Sequence, residues 1–346
     1  GMISKFVTTA IAALVAAVAL TLSTPVEAAQ KQAKKKATAT AKSPAHKAKR
    51  AKRVARVVPA RPSFGQLAGL RATAHARALK SSEALVMDQH TNEVLLSKNP
   101  NAGLPIAPIT KLMTALVVTE ANLPLDETLT ISQEDVDTEK GSRSRLRVGT
   151  QLTREEMLHL ALMSSENRAA HALGRAFPGG LSAFVKAMNA RAALLGMSDT
   201  RYVEPTGLSS QNQSSAKDLA TLVKAAHEHQ LIRELSTSPE FRVAVGRREM
   251  QFRTTNSLVR SPIWEIGLQK TGYITEAGRC LVMQATLAGR QLIMVFLDST
   301  GKYSRLGDAE RVRRWVTEFA PAHAPVPVPA PADLSPSASA AVKLAI

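Results

Sequence analysis

Two short apolar runs, Ala84–Met87 and Val94–Ser97, flank the polar, turn-prone stretch Asp88-Gln89-His90-Thr91-Asn92, so a β-hairpin is expected there. Lys111 to Glu120 (KLMTALVVTE) reads as an apolar helix preceded by Pro108, a residue suited to a helix's first turn. Thr153-Arg154-Glu155-Glu156 is a capping box opening a helix that turns Met157, Leu158, Ala161 and Leu162 inward. Phe184, Met188, Arg191 and Leu195 follow helical spacing, and Gly196 closes that helix. Ser215 with Asp218 caps another, carrying Leu219, Leu222 and Val223. After residue 238 the period changes. Phe241–Val245, Met250–Thr254, Glu265–Lys270, Cys280–Ala285 and Gln291–Phe296 read as strands, and a last helix runs from about Lys302 to Phe319. Hairpin, helices, antiparallel strands, helix: this order predicts an α+β fold whose sheet is completed by distant parts of the chain.

Both ends of the chain depart from this pattern. Gly1 precedes Met2 as an added residue would, and Lys5 is followed by an uncharged run from Phe6 to Leu22. Then come Ser23-Thr24-Pro25 and Val26-Glu27-Ala28, with small residues suited to cleavage. Residues 1–28 are therefore expected to be a secretory signal, with an uncleaved membrane anchor as the alternative reading. The stretch 29–58 holds eleven Lys or Arg and no acid, eleven of the chain's seventeen net positive charges. Residues 29–65 are read as a self-repelling, disordered basic arm. Export would direct the arm to an anionic envelope polymer or anionic lipid rather than nucleic acid, and a solvated spacer is the plainer alternative. Residues 321–346 contain six prolines in an Ala/Val/Ser background and read as an extended disordered tail. One folded body remains, residues 66–320, and its expected location is the periplasm, membrane-associated only through the arm or an uncleaved signal.

Composition narrows the chemistry. The chain has 346 residues, 45% of them hydrophobic, enough for a sizeable core. The single cysteine, Cys280, excludes an intramolecular disulfide framework and any multi-cysteine metal site. Aromatics at 4% argue against stacking platforms for single-stranded nucleic acid. His227-Glu228-His229 alternates on a helix rather than sharing a face, so it reads as solvated, not metal-binding. No phosphate loop or His-Glu-x-x-His is present, and no cofactor or metal is expected.

Three short strings remain: Pro108-Ile109-Thr110-Lys111, Ser165-Glu166-Asn167 just after a helix, and Lys270-Thr271-Gly272 at the end of an expected strand. Each alone is weak. Together, in this order, they resemble the Ser-x-x-Lys, Ser-x-Asn and Lys-Thr-Gly signature of penicillin-binding serine peptidases. The surroundings IAPITKLMTALV, LALMSSENRAAHALG, YVEPTGLSSQNQSSAKDLA and KTGYITEAGRCLVMQA are most similar to the low-molecular-mass D-alanyl-D-alanine endopeptidase/carboxypeptidase branch. The resemblance spans roughly residues 80–318. It implies a β-lactamase/transpeptidase-like fold with a helical subdomain, peptidoglycan stem peptides as substrate, serine acyl transfer, and β-lactams as covalent ligands. Lys111 would be the base, its amine partly neutralised by burial and by Lys270. Ser165 would relay a proton to the leaving amine, and Asn167 would hold Lys111 and the substrate amide. Lys270 and Thr271 would meet the substrate carboxylate, Gly272 would let the strand approach the substrate backbone, and Tyr273 would supply an oxyanion donor through its N–H.

The departure is Pro108, which stands where that family has its nucleophilic serine. Proline has no hydroxyl and no backbone N–H. In the family the nucleophile's own N–H is one of two oxyanion donors, and losing one such donor typically lowers the rate ~10²–10³-fold. Of the neighbours, Thr110 should point elsewhere, Thr114 is deeper, and Ser164 and Ser165 lie across the expected cleft. The chain is therefore expected to be acylation-defective, and a proline codon differs from a serine codon by as little as one base. The alternative is a non-catalytic module that binds peptidoglycan peptides or a partner. No Glu-x-x-Leu-Asn segment of the β-lactamase type is present, which argues against drug hydrolysis. Endopeptidase and carboxypeptidase action, stem-peptide chemistry and oligomeric state stay open at this level.

Overall fold

The expected hairpin is Ser81–Asp88 (β1) and Val94–Lys98 (β2) in a computed structural model that describes residues 61–75 and 77–319. Asp88 builds its turn, because Oδ1 accepts from the His90 and Thr91 N–H groups at 2.9 and 3.0 Å. The helices follow: Thr110–Glu120 (α1), Arg154–Met163 (α2), Asn167–Arg175 (α3), Gly180–Leu194 (α4), Ala216–His227 (α5) and Gln230–Thr237 (α6). Then come Glu240–Val245 (β3), Arg248–Arg253 (β4), Glu265–Ile274 (β5), Gly278–Leu287 (β6), Arg290–Ser299 (β7) and Ser304–Phe319 (α7). The capping box at Thr153 and Glu156 forms as expected, and Ser215 accepts from Asp218 N–H.

One antiparallel sheet has the order β2-β1-β7-β6-β5. The N-terminal hairpin thus docks on the C-terminal strands, with Ala84 opposite Phe296, so distant parts of the chain complete the sheet as expected. Both faces are covered. Ala84, Val86, Met283, Met294 and Phe296 pack under Ala309, Val312 and Val316 of α7. Leu85, Val282, Ile293 and Val295 face the helical part. At the centre of that part, Thr110 to Val118 are all buried, so α1 has no solvent face. Contacts to the body begin ahead of residue 66: Ser63 caps a short turn, Phe64–Leu67, and Phe64 N–H donates to Glu276 O at 2.9 Å. The signal, most of the arm and the tail lie outside the described residues. Among the described residues no helix is long and apolar enough to cross a membrane.

Two expectations change. Lys270-Thr271-Gly272 sits inside β5, which continues to Ile274, not at its end. Pro108 keeps its expected place ahead of α1, in a 3-10 turn, Ala107–Ile109. His227 is half-buried rather than solvated, its Nδ1 3.0 Å from Gln89 Nε2, because α5 packs against the sheet at its C-terminal end.

Candidate active site

The sheet's last strand, β5, has one free edge. The turn carrying Pro108 is packed against this strand. A Cβ at Gly272 would lie 3.1 Å from both Ala107 Cβ and Pro108 N, so only glycine allows this approach without displacement. On the other side, Gly207 (φ +84°) would place a Cβ 2.0 Å from Ala107 O. Ala107 itself has φ +55°, and its carbonyl accepts from Thr110 Oγ1 at 3.0 Å. The turn at position 108 is therefore clamped between two glycines.

At the start of α1, one turn beyond position 108, Lys111 is fully buried. Its Nζ donates to Asn167 Oδ1 at 2.6 Å and to Thr206 O at 2.8 Å. Burial lowers its pKa to about 7, with the Glu204 and Glu166 charges opposing. Of the two levers the sequence suggested, burial and the second cation Lys270, burial is the one that lowers it. Lys270 is also fully buried; its Nζ donates to Ser165 Oγ at 2.9 Å and Thr271 O at 2.8 Å. Burial first, then Lys111 and Arg305, lower its pKa well below the usual lysine value. Ser165 has φ +61°, a strained geometry for serine that follows directly on the end of α2. Asn167 is the first residue of α3; besides Lys111 it binds Ser142 Oγ through Nδ2 at 2.9 Å.

The other hydroxyls near position 108 are engaged elsewhere. Thr110 Oγ1 donates to Ala107 O, Thr114 Oγ1 to Pro205 O at 2.7 Å, and Ser164 Oγ to Leu160 O at 2.9 Å. Pro108, Ser165, Asn167, Thr271, Gly272 and Tyr273 line one cleft of about 290 Å³. Tyr273 is 51% exposed at its mouth, with the Arg279 guanidinium 4.4 Å from its ring.

The structure adds residues that carried no motif. Ser142, Leu208, Thr255 and Arg305 complete the cleft. Thr255 Oγ1 lies 2.5 Å from Thr271 Oγ1. Arg305 is 9% exposed, and its Nε and Nη1 have no partner. Glu204 organises the loop that presents Thr206 O. Its carboxylate accepts from Thr206 N, Thr206 Oγ1 and Gly207 N at 2.5, 2.5 and 2.7 Å. Among the described residues there is no group of three or more His, Cys, Asp or Glu arranged to hold a metal. The only available signal for Glu204 was its place in the YVEPTGL string.

A buried lysine one turn from position 108, a second lysine on an edge strand and a serine between them define the layout of a penicillin-recognising serine peptidase. The chain belongs to the D-alanyl-D-alanine carboxypeptidase family, which matches residues 70–301. The D-alanyl-D-alanine endopeptidase of Pseudomonas aeruginosa is 52% identical over 240 residues, 69% of this chain and 77% of that one. Its Escherichia coli counterpart is 44% identical over 261 residues, 75% and 84% of the two chains. The crystal structure of the Streptomyces K15 DD-transpeptidase superposes with a TM-score of 0.65 at 26% identity, covering 69% of this chain and 97% of that one. By family and fold the chain is a serine-type D-Ala-D-Ala peptidase of peptidoglycan, a group that includes both endopeptidases and carboxypeptidases.

Proposed function

We propose that the cleft binds D-Ala-D-Ala-type stem peptides of peptidoglycan and is arrested before the covalent step. The observation that carries this reading is Pro108, three residues before a Lys111 whose amine is already positioned. With serine at 108, its Oγ would attack the scissile carbonyl while Lys111 Nζ takes its proton. Ser165 would then pass a proton to the leaving amine as the carbon–nitrogen bond breaks. Thr271 and Arg305 supply a hydroxyl and an unpartnered guanidinium for the leaving group's carboxylate. Lys270 adds positive potential and holds Ser165. With proline there is no oxygen to form the ester, and the oxyanion keeps only the Tyr273 N–H of its two donors. A β-lactam would occupy the same cleft without acylating it.

The rest of this reading concerns location. The leader-like residues 1–28 direct the chain to the periplasm, and the basic stretch 29–58 carries the charge to hold it at an anionic envelope polymer or lipid surface.

Intact mass after incubation with a β-lactam tests the central claim on this chain and on Pro108→Ser side by side. An adduct on Pro108→Ser alone is the expected result. An adduct on the unaltered chain would redirect the search to Ser165. No adduct on either folded protein would favour the purely binding module.

A further inference from the structure

A second groove, of about 470 Å³, opens between the 142–149 loop and the tip of the β3–β4 hairpin. Arg145, Arg147 and Arg248 line it against one acid, Glu249, which faces Arg242 at 3.5 Å. The loop reads S-R-S-R-L-R, and alternate residues are tied inward. Ser144 Oγ donates to Glu166 Oε2 at 2.7 Å. Leu146 is fully buried, and its carbonyl accepts from Arg168 Nη1 at 2.7 Å. Arg143, Arg145 and Arg147 are left exposed. The Arg145 guanidinium sits 3.9 Å from the centre of the Phe252 ring, which orients it without neutralising it.

The groove meets the cleft at a particular end. Ser142 lines the cleft and Ser144, two residues on, lines the groove. On the hairpin side, Phe252 precedes Thr255 by three residues, roughly 10 Å of extended chain. Thr255 touches Thr271, the end where the leaving group's carboxylate belongs. Through Thr255 the arginines adjoin the Thr271 end of the cleft, where the leaving group's carboxylate belongs, and through Ser142, which accepts from Asn167 Nδ2 at 2.9 Å, the same loop also borders Asn167.

We propose that this groove receives the free carboxylates of a second stem peptide, so that the preferred ligand is a cross-linked dimer, as an endopeptidase requires. The inference rests on the proposed reading of the cleft. A carboxypeptidase's leaving group is a single D-alanine that ends at Thr271 and Arg305. An endopeptidase's leaving group continues into another anionic peptide. Arginine suits that role because its planar fork pairs with carboxylates at two points.

The test needs no catalysis and uses the chain as it stands. Affinities are measured for a monomeric stem pentapeptide ending in D-Ala-D-Ala and for its cross-linked dimer, at two salt concentrations. The proteins are the unaltered chain, the triple variant Arg145→Gln, Arg147→Gln, Arg248→Gln, and the control Arg314→Gln. The expected result is a dimer preference of at least tenfold that the triple variant loses and the control keeps. Monomer affinity stays within twofold in all three, and the preference narrows at higher salt. A dimer preference retained by the triple variant overturns the proposal. So does polyglutamate competing as well as the dimer, which would show an undirected charge effect. Failure of both peptides to bind the unaltered chain overturns the cleft reading itself, and this proposal with it.

Discussion

Lys111 Nζ and Asn167 Oδ1 are 2.6 Å apart, though the two residues start different helices and are 56 positions apart in the chain. The contact holds the amine where a residue at 108 would present a hydroxyl. It also defines what restoring that hydroxyl would reveal.

In Pro108→Ser, acylation by a chromogenic β-lactam should depend on the neutral form of Lys111, because only a free amine accepts the serine proton. With its pKa at about 7, the rate should fall about tenfold per pH unit below that value and level off above it. Adding Asn167→Asp places a negative charge against the ammonium and should move the midpoint upward by about a unit or more. A rate profile flat from acid to alkaline pH would remove Lys111 from the role of base.

Arg305 makes a different prediction. Its side chain lines a cleft that sequence reasoning filled only with motif residues, and two of its guanidinium nitrogens, Nε and Nη1, have no partner. Arg305→Gln should weaken binding of a peptide ending in D-Ala-D-Ala carboxylate by about ten- to a hundredfold, since a hydrogen bond to a charged group contributes about 1.5–3 kcal/mol. The same peptide with a C-terminal carboxamide should bind both proteins alike. Equal losses for acid and amide would mean that Arg305 only shapes the cleft.

That residue also shows where the sequence stops being readable. Lys111, Ser165, Asn167 and Lys270 belong to short local strings at element starts and ends, so their chemistry is visible before any fold is known. Ser142, Thr255 and Arg305 reach the cleft from two loops and the start of α7, and no periodicity links them. The hairpin, α1, the capped helices and the long strands follow from apolar period and caps. α3 (NRAAHALGR) did not, because its inward positions are mainly alanines and a glycine, which carry little apolar signal. β5 is expected only over Glu265–Lys270 but runs to Ile274, since a glycine at 272 reads as a strand end unless the close approach of Ala107 is known. β1 likewise starts at Ser81, ahead of the apolar run that begins at Ala84, and takes the polar Glu83 into a buried position.

Glu83 is fully buried in β1, and burial pushes its pKa up to about 9, with Asp199 and Asp218 adding to the rise. Its Oε1 accepts from the Ala216 N–H at 2.5 Å, which opposes the shift, and Oε2 has no partner. The folded state therefore holds this proton from the ordinary carboxylate pKa of 4.5 up to about 9, whereas the unfolded chain releases it. Its contribution is fully present below 4.5 and is lost as pH rises toward 9. Within that window each pH unit should lower stability by about 1 kcal/mol through this group alone. Glu83→Gln keeps the shape and an oxygen for Ala216 but cannot ionise. Urea midpoints of the two proteins should converge near pH 5 and separate toward pH 8 in the variant's favour. Other shifted groups, Asp218 among them, are common to both proteins and largely cancel in the difference. Parallel curves across that range would show that Glu83 is ionised in the folded protein.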